Sequence, residues 1–158
     1  AHAVVLGAGG TARSVALALG RRGARVAIIN RTAAKAEELV RTLAPAAQEA
    51  GGDIVIGSLD EISRAGVLVN TTSVGMNSDE LPLPANILRR NIVVLDAVYS
   101  PMETALLKAA RQAGDKTVDG LWMLIQQARR QCVHQFGWNP EAEPMREAAE
   151  RELAARHK

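Results

Sequence analysis

Aromatic side chains are nearly absent, at 3% of 158 residues. A platform that stacks nucleobases needs several of them, so single-stranded nucleic acid is excluded as a natural partner. Charge points the same way. The isoelectric point is near 9.0 and the net charge is +2, but no dense basic run accompanies them. Cys132 is the only cysteine, so no internal disulfide exists and a reducing compartment is expected. No apolar run approaches bilayer length, so no membrane contact is expected and the chain reads as soluble. Metal-ligand spacing is missing too: His2, His134 and His157 sit at a terminus, a helix flank and a tail, without credible partners, and no metal is expected. There is no signal peptide, and a cytoplasmic location follows, with a plastid left open for a chain that has lost a transit peptide. An apolar strand begins at residue 3 without a lead-in, which reads as a domain cut from a longer protein.

What remains is an ordinary globular composition, 47% hydrophobic and 23% charged, at a length that suits one domain with one core. Short apolar runs at residues 3–6, 25–29, 53–56, 67–69 and 92–95 predict five strands, and Lys116 to Val118 reads as a sixth, short one. Helical spacing separates them. Ala12, Val15, Ala16 and Leu19 mark one helix; Ala36, Leu39, Val40 and Leu43 mark a second, expected to end before Pro45. Ser100-Pro101-Met102-Glu103 reads as the capped start of a third helix that ends at Gly114. Asp119 is expected to cap a fourth, with a buried stripe of Leu121, Leu124, Ile125, Ala128, Cys132 and Phe136; Asn139-Pro140 opens a final charged helix. Strands alternating with helices predict an α/β fold: a doubly wound, mostly parallel sheet with helices on both faces, in three α/β/α layers.

Gly7-Ala8-Gly9-Gly10-Thr11-Ala12 lies between the first strand and the first helix. Gly7 suits a tight turn, Gly9 admits a pyrophosphate to the backbone, and small Ala12 lets helix and strand pack closely. The helix N-terminus adds unpaired N–H groups and a positive dipole end. This is a Rossmann-like phosphate turn in its required context, although a bare structural turn has the same glycines. After the second strand, where an NAD site commonly places an acid, stand Asn30, Arg31, Thr32 and Lys35. Arg31 offers a planar fork and Thr32 a hydroxyl, and Lys35 lies one turn on. Surface solvation is the ordinary fate of such cations. Two of them against the positive end of a helix dipole favour a bound anion, here the 2′-phosphate of NADP(H).

Further motifs follow in order: Asn70-Thr71-Thr72-Ser73-Val74-Gly75-Met76, Asp96-Ala97-Val98-Tyr99, Pro101-Met102-Glu103-Thr104, and Gly120-Leu121-Trp122-Met123-Leu124 with Gln127. With the glycine turn and Asn30-Arg31-Thr32, they resemble the C-terminal half of shikimate dehydrogenase over nearly the whole chain. The resemblance implies an NADP-dependent oxidoreductase of the shikimate pathway, which makes aromatic amino acids. Its reaction is reversible hydride transfer between NADPH and 3-dehydroshikimate, giving shikimate. It further implies that Asn30, Arg31, Thr32 and Lys35 hold the adenosine phosphate and that Thr71, Thr72 and Ser73 line the cofactor. Gly120 would bond the carboxamide, Met123 and Ala97 would lie by the nicotinamide, and Tyr99 and Gln127 would face the substrate. A larger apolar residue is common where Ala97 stands. On the residues alone, Tyr99 also reads as a strand-end tyrosine in water and Gln127 as a helix-flank residue.

The family's catalytic lysine and aspartate belong to an N-terminal substrate domain, so no catalytic residue is expected among these 158. The resemblance implies one NADP-binding domain over 1–158, whose helices in 119–158 pack back on that covalently attached domain and show an apolar face without it. Asp96, the best acid near a strand end, reads as a support for the loop that follows. The alternatives are a quinate/shikimate dehydrogenase using NAD, a sensing module that binds NADP(H) without turnover, and an empty scaffold. The missing acid after the second strand speaks against the first, and the two cations against the last.

Overall fold

The computed structural model describes residues 1–88 and 91–156; His157 lies outside them. Six strands form one parallel sheet in the order β3-β2-β1-β4-β5-β6. They are β1 (His2–Leu6), β2 (Arg25–Ile29), β3 (Asp53–Ile56), β4 (Val67–Asn70), β5 (Val93–Asp96) and β6 (Lys116–Val118). Five helices connect or follow them: α1 (Gly10–Gly20), α2 (Ala33–Gln48), α3 (Ala105–Ala113), α4 (Gly120–Phe136) and α5 (Ala142–Arg156). Every neighbouring strand pair is parallel. This is the expected doubly wound, Rossmann-like α/β architecture.

Alternation along the strands divides the core into two layers. Ala3 and Val5 of β1 and Val26 and Ile28 of β2 face α1 and α2, where they meet Ala12, Ala16, Leu39 and Leu43. Val4 and Leu6 face the other way, onto Leu68, Val94, Leu106 and Leu107. Full burial of one such large side chain contributes roughly 1.5–3 kcal/mol. A one-residue slip in register would therefore expose a whole layer.

Three expectations need correction. Helix α2 does not stop before Pro45 but runs through it to Gln48. Pro45 is exposed, so water can take up the Arg41 carbonyl that its missing N–H leaves unpaired, while Leu43 and Ala47 are buried on the opposite face. Helix α3 does not start at Ser100. It starts at Ala105, with Thr104 as the cap: the Thr104 hydroxyl oxygen accepts the Leu107 N–H at 3.3 Å, and the Ser100–Pro101 peptide ahead of it is cis. Its end at Gly114, in the left-handed region, is as expected.

The third correction concerns α4. Asp119 does cap it, accepting from Leu121 N and Trp122 N. The stripe, however, is buried only at Leu121 and Ile125; Leu124 is 39% and Phe136 73% exposed. Past its first turns α4 has left the sheet, and its neighbour is α5, which buries no residue of its own. What joins the two helices is polar. Arg146 of α5 reaches Asp119, the cap of α4, with two nitrogens at 2.9 and 3.0 Å and the Trp122 ring at 4.7 Å, and is held within α5 by Glu150 at 2.7 Å. His2, on the central strand β1, is not without a partner: Glu61 lies 3.0 Å from its Nε2. No helix among the described residues is long and apolar enough to cross a membrane.

Candidate functional site

Leu6, Ile29, Asn70 and Asp96 are paired in register at the carboxyl ends of β1, β2, β4 and β5. The loops after these strands therefore open side by side. Chain order reverses between β1 and β4, the place where doubly wound sheets leave a crevice for ligands. Two cavities lie there. One, of about 630 Å³, is lined by Gly7, Asn30, Arg31 and Leu59. The other, of about 340 Å³, is lined by Thr11, Thr71, Ala97, Tyr99 and Ser100. Thr72 and Ser73 line both and form the saddle between them.

The glycine turn divides by cause. Gly7 has φ +109°, and a Cβ there would lie 2.7 Å from the Thr71 hydroxyl oxygen, so the chain itself requires glycine. Gly9 has nothing within 4 Å of where a Cβ would stand. Its small size answers to no neighbour in the protein and leaves room for a guest. Helix α1 begins at Gly10 without a side-chain cap and without an acid in its first turn. Thr11 opens on the smaller cavity, Ala8 is half-buried, and Ala12 is buried against the sheet. The turn thus presents bare N–H donors to the crevice, and a pyrophosphate fits such a cradle.

Helix α2 starts in the same way. Thr32 occupies the cap position without a side-chain hydrogen bond, and no acid stands in the first turn. Asn30 shapes the approach by donating its amide to the Thr32 carbonyl at 2.8 Å. Arg31, Thr32 and Lys35 are exposed, and among the described residues the side chains of Arg31 and Lys35 make no hydrogen bond or ion pair. Two uncommitted cations at an uncapped helix start leave positive charge there that the chain does not neutralise.

The hydroxyls after β4 are more committed. Thr71 donates to the Leu6 carbonyl at 2.6 Å and so holds the β4 loop on the glycine turn. Thr72 donates to Asn70 Oδ1 at 2.7 Å and accepts from Val74 N at 3.2 Å. Both therefore shape the cleft, whereas the hydroxyl of exposed Ser73 has no partner among the described residues. Below them Asn70 and Asp96 are fully buried. Asp96 accepts from Asn70 Nδ2 at 2.9 Å, Val98 N at 3.1 Å and Thr104 Oγ1 at 2.7 Å. Burial raises its pKa, and the bonds from Thr104, Val98 and Asn70 oppose that rise. Its support of the following loop is as expected. Asp115, also buried, has its pKa raised by desolvation against a single bond from Ile92 N; its Oδ2 has no partner among the described residues.

The remaining candidates are less gathered. Tyr99 borders the smaller cavity with 40% of its surface exposed. Gly120, Met123 and Gln127 line neither cavity. Gly120 has a structural reason to be glycine, because a Cβ would lie 2.4 Å from the Ala97 carbonyl oxygen; α4 could not start so close to the β5 loop otherwise. Met123 is half-buried and Gln127 exposed. Leu59, Met76 and Asn77 were not foreseen as lining residues. Leu59 sits on a 3₁₀ turn, Leu59–Arg64, whose signal was the run Ser58-Leu59-Asp60-Glu61, the capping-box spacing of a helix start. Asn77 follows Met76 on the same loop and has φ +56°.

Sheet order, crevice and glycine turn define a Rossmann-like domain of the dinucleotide-binding class. A profile of the family described as shikimate / quinate 5-dehydrogenase matches residues 1–75. A shikimate dehydrogenase (NADP⁺) of Haloarcula marismortui is 48% identical over 125 residues, covering 79% of this chain and 46% of the relative. Among solved structures, shikimate 5-dehydrogenase of Thermus thermophilus in complex with NADP(H) and shikimate superposes with a TM-score of 0.82 at 37% identity, covering 94% of this chain and 54% of that one. Quinate dehydrogenase of Corynebacterium glutamicum in complex with NAD gives 0.83 at 33%, covering 92% and 53%. Over its length the chain is similar to the NAD(P)-binding domain of shikimate dehydrogenases. It spans about half the length of the curated relatives it matches.

Proposed function

We propose that this chain is the cofactor half of an NADP-dependent shikimate dehydrogenase, a cytoplasmic enzyme that interconverts 3-dehydroshikimate and shikimate. The observation that carries the reading is the pair of uncommitted cations, Arg31 and Lys35, at one end of a cleft whose middle is an uncapped helix start. When bound, NADPH supplies the hydride that turns the substrate's carbonyl into a hydroxyl, and NADP⁺ takes it back in reverse. Arg31, Lys35 and Thr32 hold the 2′-phosphate, with Asn30 ordering the turn. Gly7, Ala8, Gly9, Gly10, Thr11 and Ala12 form the pyrophosphate cradle. Thr71, Thr72 and Ser73 carry the path to the smaller cavity, where Ala97 faces the nicotinamide.

Gly120 and Met123 close that end from α4, and Tyr99 and Gln127 orient the substrate. The acid/base pair comes from a substrate domain outside these residues, against which the helices in 119–158 rest. The exposed Leu124, Phe136 and Trp138 support that docking. The NAD-linked quinate relative favours a second reading, in which the same cleft takes NAD; the absence of an acid after β2 weighs against it. Steady-state kinetics of the full-length protein with 3-dehydroshikimate decides between them. NADPH is expected to support turnover far better than NADH; equal use of both, or no turnover with either, overturns the proposal.

A further inference from the structure

The two rims of the smaller cavity are separate loops, residues 71–74 after β4 and residues 97–100 after β5. Beneath them the buried Asn70 uses its full hydrogen-bonding capacity. Its Oδ1 accepts from Thr72 N and Thr72 Oγ1, and its Nδ2 donates to Val74 O at 3.3 Å and Asp96 Oδ1 at 2.9 Å. Asp96 in turn holds Val98 N on the second rim and Thr104, the cap of α3. The Asn70–Asp96 bond is the side-chain link in this chain of contacts that crosses from one rim to the other.

We propose that Asn70 and Asp96 are positioning residues that lock the two rims of the cleft together, so that the nicotinamide-end pocket keeps one shape. Neither side chain reaches a ligand, since both are fully buried; they act through Thr72 on one side and Val98 with its neighbour Tyr99 on the other. The donors and acceptors decide what a substitution does. Asn70→Asp puts a second carboxylate oxygen against Asp96 and against the Val74 carbonyl, so attraction becomes repulsion across the link. The same Asp96 Oδ1 takes both the Asn70 amide and Val98 N, so pushing Asp96 away from position 70 also loosens the second rim.

Amide hydrogen exchange of the full-length protein without cofactor tests the lock itself. Asn70→Asp is expected to speed exchange at Val98, on the rim that the Asn70 side chain does not touch, by about tenfold or more. An unchanged Val98 amide overturns the proposal.

The effect on turnover rests on the proposed function, and binding of adenosine 2′,5′-bisphosphate separates the two. Asn70→Asp is expected to lower kcat between about ten- and a hundredfold, as small misplacements at a reacting centre do. Its affinity for the bisphosphate, held at the Arg31 end, should stay within about threefold. An unchanged kcat overturns the proposal. A wild type that fails to bind the bisphosphate overturns the cofactor reading instead, while the exchange result still decides the lock. If Asn70→Asp does not fold, Thr104→Val carries the test: it should speed exchange at Val98, and Thr104→Ser should restore it. Wild-type exchange in Thr104→Val overturns the proposal.

Discussion

Helices α1 and α2 begin at the cleft, and helices α3 and α4 begin beside it, yet the two pairs are finished differently. The starts of α3 and α4 are capped by Thr104 and Asp119, each with hydrogen bonds to backbone N–H groups. The starts of α1 and α2 have no side-chain cap and no acid in the first turn, and α2 carries Lys35 there instead. A capped start is finished by the chain and adds stability; substituting such a cap by alanine costs roughly 0.5–2 kcal/mol. An uncapped start forgoes that gain and keeps its donors and its dipole for an anion. The chain caps the two starts that α3 and α4 need for folding and leaves bare the two that face the crevice.

Finishing α1 with its own acid should break the contrast most sharply. Gly9→Asp would cap the helix, and the open space at Gly9 accepts the side chain. Thermal or urea unfolding is expected to show a stability gain of about 0.5–1 kcal/mol from cap and dipole. NADPH affinity should fall by about a hundredfold or more, because a carboxylate set against a phosphate costs several kcal/mol. Calorimetry decides, and a variant that is both more stable and still tight for NADPH would remove the anion role from α1. Next is Arg31→Ala, expected to weaken NADPH by about 10- to 150-fold and leave NADH unchanged. Lys35→Ala should do less, with an effect that fades as salt is added.

The capped side should respond in the opposite sense. Asp119→Ala removes two cap bonds and the partner of Arg146. It is expected to cost about 2 kcal/mol of stability in chemical unfolding, with adenosine 2′,5′-bisphosphate binding unchanged. Asp115 provides the smallest test. Burial raises its carboxyl above 3.8, so the folded state binds its proton more readily than the unfolded one, and stability is lost as pH rises through the folded value. Asp115→Asn should therefore add about 1 kcal/mol at pH 7. The gain should disappear near pH 4, below which wild type and variant unfold at the same denaturant concentration.

The parts legible in the sequence were those fixed by local chemistry. The inner strand at 25–29 emerged from its apolar run, because inner parallel strands are buried on both faces and leave no polar alternation; the edge strands at 53–56 and 116–118 are short and only partly buried. The glycine turn and the Asn30–Lys35 run were legible because phosphate recognition uses backbone shape and charge at fixed spacing. What escaped depends on partners distant in the chain. Pro45 looked like a helix end until Ala47 had a buried seat. Ser100 looked like a cap, although Thr104, tied to Asp96, holds that role. The stripe of α4 looked like core because periodicity records an apolar face but not what covers it. Leu59 was hidden in a 3₁₀ turn too short to leave a period, and it faces the cleft only because β3 ends beside β2.

The placement of the two indoles has a spectroscopic consequence. Trp122 lies beneath the Arg146 guanidinium at the α4–α5 junction, and Trp138 stands just past α4 with 62% of its surface exposed, whereas no tryptophan lines either cavity of the cleft. Emission excited selectively from tryptophan therefore comes from one corner of the domain. Iodide should quench the Trp138 share and spare much of the Trp122 share. A loss of quenching on joining a larger assembly then reports the covering of that corner, as a signal separate from the filling of the nucleotide cleft.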